Sequence, residues 1–337
     1  MLQRVRALSQ ALNQPRGRTR LKAGGVVVLA AVAAMAGLSA CGGDAHEEPA
    51  AKGTPAALRL LTQEQYMNTL SYVFGSSVEP TTRFAALPRI DGLLISGTAT
   101  AGLTDAQLEM YQKTASKVAT EVVREGSREF LVPCTPADLN AADSECTKSF
   151  LTQVAPLLYR RSVSEAQIDA LTEEANQAAT ALNSFYDGIS VVIEGMLLSP
   201  NVLLVAEAAE PDPEHAGEER LDSWSLATRL SLFLWNASPD AELLAAAGSG
   251  ALQTPAGLAR EVDRMLASPR LEGGVRALFD DMFEFEDFGV LSKDGQIYPT
   301  FTGETAVDAR EQTLRTVVDH LLTRRGDYRD LYTTRRT

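Results

Sequence analysis

From about position 62 to 325 the apolar residues of this chain recur at helical spacing, repeatedly behind a residue that caps helices. That pattern leaves little room for sheet. Thr62 stands three residues ahead of Gln65, the arrangement of a capping box, and Leu61, Tyr66, Leu70, Val73 and Phe74 make a stripe that ends at Gly75. Thr104 precedes a second stripe of Leu108, Tyr111, Ala115, Val118 and Val122, running to about Glu125. Lys148 to Tyr159 is apolar at Phe150, Leu151, Val154, Leu157 and Leu158, and Ser164 opens a helix with Ile168, Leu171 and Ala175. Tyr186 to Leu198 is too short to span a membrane and too continuously apolar for a surface helix, so it predicts a central core helix. Leu221 to Trp235, the restarts at Ser238-Pro239-Asp240 and Thr254-Pro255, then Arg270 to Phe288 and Glu304 to Arg325 complete the set. Ser76 to Gly102 has no period and reads as a long loop, and Asn201 to Val205 could pair locally at most. The expected fold class is all-α, a multi-helix globular body in two packed helical subdomains.

The first forty residues stand outside that body. Arg4, Arg6, Arg16, Arg18, Arg20 and Lys22 precede an apolar run from Val26 through Ala36, and Leu38-Ser39-Ala40-Cys41 has the form of a bacterial lipobox. The expectation is a lipoprotein signal peptide over 1–40, acylation at Cys41 and a flexible tether over 41–57, rich in small and acidic residues. The competing reading is an uncleaved anchor helix, because Ala23 to Ala40 approaches the length of a membrane span. Gly42 is not an acid of the kind that retains some lipoproteins in the inner membrane, which favours the outer membrane or a periplasm-facing position. The leader holds 6 of the 31 basic residues and none of the 44 acids, so a cleaved chain carries 25 against 44, a net −19 before acylation. Such a surface repels phosphate backbones and disfavours nucleic acid, so the membrane partner would be reached through the acyl chains.

In an exported protein, Cys134 and Cys146 read as a disulfide. It would close a loop of about 13 residues, worth about 3 kcal/mol by chain entropy. Pro133, Pro136, Asn140 and Asp143 mark that segment as non-helical. Residues 208–220 are dense in acid and proline and read as an acidic linker. They divide N-terminal helical subdomains at 58–207 from a domain at 221–337.

Several blocks carry a resemblance. Leu61-Thr62-x-x-Gln65-Tyr66-x-Asn68-Thr69, closing on Phe74-Gly75, resembles the opening of a group of uncharacterised bacterial extracytoplasmic proteins. Tyr159-Arg160-Arg161 with Ser164-Glu165 is similar to a second element of theirs, and Leu197-Leu198-Ser199-Pro200 with Leu203-Leu204 and Glu207 to a third. The run from Leu221 through Leu226-Ala227-x-Arg229-Leu230-Ser231-x-Phe233-Leu234-Trp235 to Pro239-Asp240-x-Glu242-Leu243 matches their most specific block. These are the domain-of-unknown-function families 1587, 1595 and 1592. Gln65 stands where the pattern has Glu, and Leu204-Val205 where it has Tyr-Arg, which argues against those positions serving as acids or bases here. Relatives of this kind continue past the point where this chain stops, so the resemblance implies an N-terminal portion of a longer protein. It supplies no activity.

The candidate chemistry is sparse. Trp224, Arg229, Trp235 and Asp240 could form a sugar platform, or the two tryptophans, three turns apart, could share a buried face with Arg229 paired to Asp240 or Glu242. The core reading is the stronger. Asp280, Asp281, Glu284, Glu286 and Asp287 interleave with phenylalanines, as an amphipathic helix end would, and meet no calcium or glycosidase spacing. Glu311 and Arg315 make an i,i+4 pair, and His320 stands alone. No nucleophile elbow, phosphate loop, dinucleotide fingerprint or zinc motif occurs, no cofactor is implied, and no catalytic residue can be named. Two functions stay open. One is a lipid-anchored binding or scaffold module for an envelope protein or polysaccharide. The other is a supporting domain of a secreted redox or polysaccharide-degrading enzyme.

Overall fold

The computed structural model describes residues 56–75, 84, 87–100 and 102–333. Cys41, the signal segment and all but the last two residues of the tether lie outside the described residues. The N-terminal body is built from α1 (Gln63–Phe74), α2 (Asp105–Val123), α3 (Ser144–Tyr159), α4 (Glu165–Leu182) and α5 (Phe185–Leu198). Local chemistry sets where they begin. Thr62 with Gln65, Thr104 with Gln107 and Ser164 with Gln167 form complete capping boxes, and the Asp143 side chain caps α3. α3 therefore starts four residues ahead of the apolar stripe that announced it.

α5 is the central helix, packed against α2 and α4. Phe185, Ile189, Val192, Ile193, Met196 and Leu197 are buried, on the order of 2 kcal/mol each by transfer from water. Gly188 lets α4 approach closely: a Cβ there would lie 2.5 Å from the Ala175 carbonyl oxygen. Phe150, Leu151, Leu158, Tyr66 and Leu70 complete this core, and Tyr66 meets Tyr111 edge-to-face at 5.0 Å. The expected long loop after α1 contains a short helix, Leu94–Thr98.

Three local expectations are corrected. The segment thought to pair locally instead forms β2 (Leu204–Ala206), antiparallel to β1 (Leu58–Leu60) in the register Leu58↔Ala206. The partner lies about 150 residues away in sequence, beyond what a local pattern can register. The acidic segment carries β3 (Ala209–Pro211) paired with β4 (Glu219–Leu221), an antiparallel hairpin where an acidic linker was expected. The helix anticipated from Arg270 to Phe288 stops at Met282, because Glu284 adopts a left-handed backbone (φ 53°), and a 3-10 turn follows over Phe285–Val290.

Beyond the hairpin lie α6 (Ser223–Leu234), α7 (Ala241–Gly248), α8 (Pro255–Ala267), α9 (Leu271–Met282) and α10 (Gly303–Val318). Asp222, Asp240, Thr254 and Thr302 cap four of them. One apolar cluster gathers Ala227, Trp235, Leu243 and Met265; another gathers Phe279, Phe285, Leu314 and Val317. The fold is all-α apart from two small two-stranded sheets among the described residues. No described helix is long and apolar enough to cross a membrane.

Candidate functional site

The residues singled out from sequence fall at two places and do not form one cluster. The first surrounds Trp235, which follows α6. Its ring is buried, and its indole Nε1 donates to the Met265 carbonyl at 3.1 Å. One face is covered by the Arg270 guanidinium, 4.0 Å from the ring centroid, and Arg270 stacks on Tyr72 of α1 at 3.9 Å. Arg264 stands 5.6 Å from the same indole and binds Asp240 through both terminal nitrogens, at 2.7 and 3.0 Å. Asp240 also accepts the Leu243 amide as the cap of α7. Burial works to raise the Asp240 carboxyl, but Arg264 and the Leu243 amide outweigh it, and the group sits below the usual carboxylate range. At Arg270 burial outweighs the opposing pull of Tyr72 and Asp240 and lowers the guanidinium from its ordinary value. Trp224 is half-buried and packs against the position of Gly248. A sugar platform needs an open indole face; at Trp235 a guanidinium occupies it.

Arg229 belongs elsewhere. Its partner is neither Asp240 nor Glu242 but Glu207, to which it donates from Nε at 2.9 Å and from a terminal nitrogen as well. The Glu207 side chain is 7 % exposed and also accepts the Ala57 amide, so it closes the end of the β1–β2 pair. Beside it Arg59 donates to Gln65 Oε1 at 3.1 Å. Arg160, in the left-handed position that ends α3, is buried and donates to the carbonyls of Leu158, Asn201, Val202 and Leu204. No carboxylate faces that guanidinium in these contacts. Burial, then the nearby charges of Arg59 and Arg161, pushes it down to about 9. Thr228 Oγ1 of α6 donates to the Arg160 carbonyl at 3.4 Å, and Arg161 lies 3.8 Å from Asp222.

The remaining candidates are placed individually. Cys134 and Cys146 are bonded, with Cα atoms 5.6 Å apart, tying the proline-rich segment to the first turn of α3. The acids in the last turn of α9 and just beyond it meet arginines: Asp281 and Glu286 bind Arg89, and Asp280 binds Arg310. Glu311 pairs with Arg315 as its spacing implied, and also with Arg276 from α9; together they hold its carboxyl down to about 2. His320 Nε2 lies 2.8 Å from the Asp327 carbonyl. Among the described residues no group of three or more His, Cys, Asp or Glu is placed to hold a metal ion. A surface depression beside α3, lined by Glu145, Lys148, Ser149, Thr152 and Gln153, includes none of the residues singled out.

Sequence reasoning gave no role to Arg160, Glu207, Tyr72 or Arg270. The first two stood inside the motif blocks, and their function became visible when those blocks met in space. Tyr72 and Arg270 carried no signal, because a stack across 198 residues has no periodicity.

Three family models match the chain in order. Each is described as a protein of unknown function: DUF1587 over residues 59–124, DUF1595 over 146–207 and DUF1592 over 221–337. No curated protein and no solved structure matches it.

Proposed function

We propose that this chain, which belongs to the DUF1587, DUF1595 and DUF1592 families, is a lipid-anchored, non-catalytic scaffold of the cell envelope that docks a protein or polysaccharide partner. The observation that carries this reading is the joint between its blocks. Gln65 receives Arg59, Arg160 clamps the carbonyls before and within β2, and Glu207 holds Arg229. Asn68 Nδ2 donates to the Asn236 carbonyl at 3.1 Å, and the Ser238 amide to Thr69 Oγ1 at 3.2 Å. The polar residues of the family-like motifs thus work on one another, joining helices, where a catalytic set would converge on open space. Acylation at Cys41 would supply the membrane link. Recovery of a stoichiometric partner from solubilised membranes, with lipid mass on Cys41, supports the proposal. A Cys41→Ser protein that still fractionates with membranes, together with no partner recovered from the full-length protein, would sink it.

A second reading is favoured by one feature. The cluster around Phe279 and Phe285 has more half-buried than buried members, and Val290 and Tyr332 near it are 72 % and 60 % exposed. A further folded part packing there would make this chain the supporting domain of a secreted redox or polysaccharide-degrading enzyme. Metal analysis and an absorption spectrum of the full-length protein separate the two readings.

A further inference from the structure

We infer that residues 271–333 form a hinged arm, latched to the N-terminal body by reciprocal arginine–carboxylate pairs that salt opens. The other parts are fused more firmly. Leu232 of α6 belongs to the N-terminal core, Thr228 bonds to Arg160, and the Ser238 amide is buried against Thr69. The arm has an apolar cluster of its own, closed by Phe279, Phe285, Leu314 and Val317.

Ionic contacts tie the arm to the N-terminal body. Arg89, in the segment before Leu94–Thr98, reaches Asp281 and Glu286 of the arm and donates to the Gly92 carbonyl on its own side. In the opposite sense Arg310 of α10 reaches Glu64 of α1 at 3.2 Å, while Asp280 of α9 holds its Nε. Each side thus presents a guanidinium to the other side's acid, so both pairs strain together if the arm swings. Neither is sealed from solvent: the side chains of Arg89 and Arg310 are 17 % and 33 % exposed, and those of Asp281 and Glu64 are 23 % and 47 % exposed. Water and salt reach them, and about 1 M salt shortens the screening length to about 3 Å.

The pivot lies at the start of α9. A Cβ on Gly274 would stand 2.1 Å from the Leu234 carbonyl oxygen, so backbone lies on backbone there with no side chain keyed between. Arg270, stacked between Tyr72 and Trp235, pins the residue where the arm begins. A fixed base, a bare backbone contact and a distal ionic catch are the parts of a hinge.

The test uses the full chain with Cys41→Ser and nitroxides at Thr120→Cys on α2 and Gln312→Cys on α10, both at exposed positions. Pulsed electron spin resonance then reads the distance between arm and body. At about 0.05 M salt one narrow distance is expected; at about 1 M salt, or with Arg89→Gln and Arg310→Gln combined, a second and longer one appears. Its population should rise at least about tenfold, equivalent to about 1.4 kcal/mol. Arg124→Gln, which removes an exposed pair within the N-terminal body, should leave the distribution unchanged. A single narrow distance under every condition overturns the inference. So does a double variant whose arm and α2–α5 core melt together, because the arm would then be integral to the body.

Discussion

The N-terminal body and the region after the β3–β4 hairpin are both helical, yet they are held together differently. Around α5 the body buries aromatic and branched side chains in one continuous core, and its ion pairs, such as Lys113–Glu109 and Lys148–Asp169, lie on the exposed surface. The later region divides its apolar residues between two small clusters and links its helices through Arg264–Asp240, Arg276–Glu311 and Arg310–Asp280. The difference shows how a short helical array compensates for a thin core. Partly shielded guanidinium pairs, stronger than exposed ones but open to salt, take over part of what apolar burial does elsewhere.

The comparison is broken most directly at its two cores. Phe150→Ala should cost about 3–5 kcal/mol and unfold the body cooperatively in urea. Phe285→Ala should cost about 2 kcal/mol, because half-exposed neighbours can collapse into the gap. Equal losses in urea titrations would erase the distinction. Next in size is Arg160→Met, which strips the donors from four carbonyls and should cost about 2–4 kcal/mol. Arg276→Met, on the other side, removes half-exposed pairs and should cost about 1 kcal/mol. Reducing Cys134–Cys146 should lower stability by about 3 kcal/mol, read as a shift in the urea midpoint. An unchanged midpoint would mean that the opened loop gains the unfolded chain no freedom.

The smallest effect concerns acid. Glu311 has its folded carboxyl depressed from 4.5 to about 2 by Arg276 and Arg315, so its stabilising contribution is present at neutral pH. It fades as pH falls through that window. The parent should therefore lose stability more steeply than Glu311→Gln between pH 4.5 and about 2. Identical acid limbs would show that solvent already screens the pair.

What the sequence determined by itself was local. The all-α class, the caps at Thr62, Thr104 and Ser164, the buried character of α5 and the Cys134–Cys146 bond were all legible. A cap acts within three residues and a stripe repeats within four, so neighbours along the chain carry the information. Tertiary structure decided the rest. It gave Arg229 to Glu207 and Arg264 to Asp240, although Asp240 and Glu242 stand closer to Arg229 in sequence than Glu207 does. It paired Leu58–Leu60 with Leu204–Ala206, folded the acidic segment into a hairpin, and turned Phe283-Glu284 away from the helical path. An arginine side chain is long enough to satisfy whichever carboxylate lies within its reach, and a three-residue strand has too few side chains to mark its partner. Which acid is within reach, and which strand lies alongside, depends on how the helices have already packed.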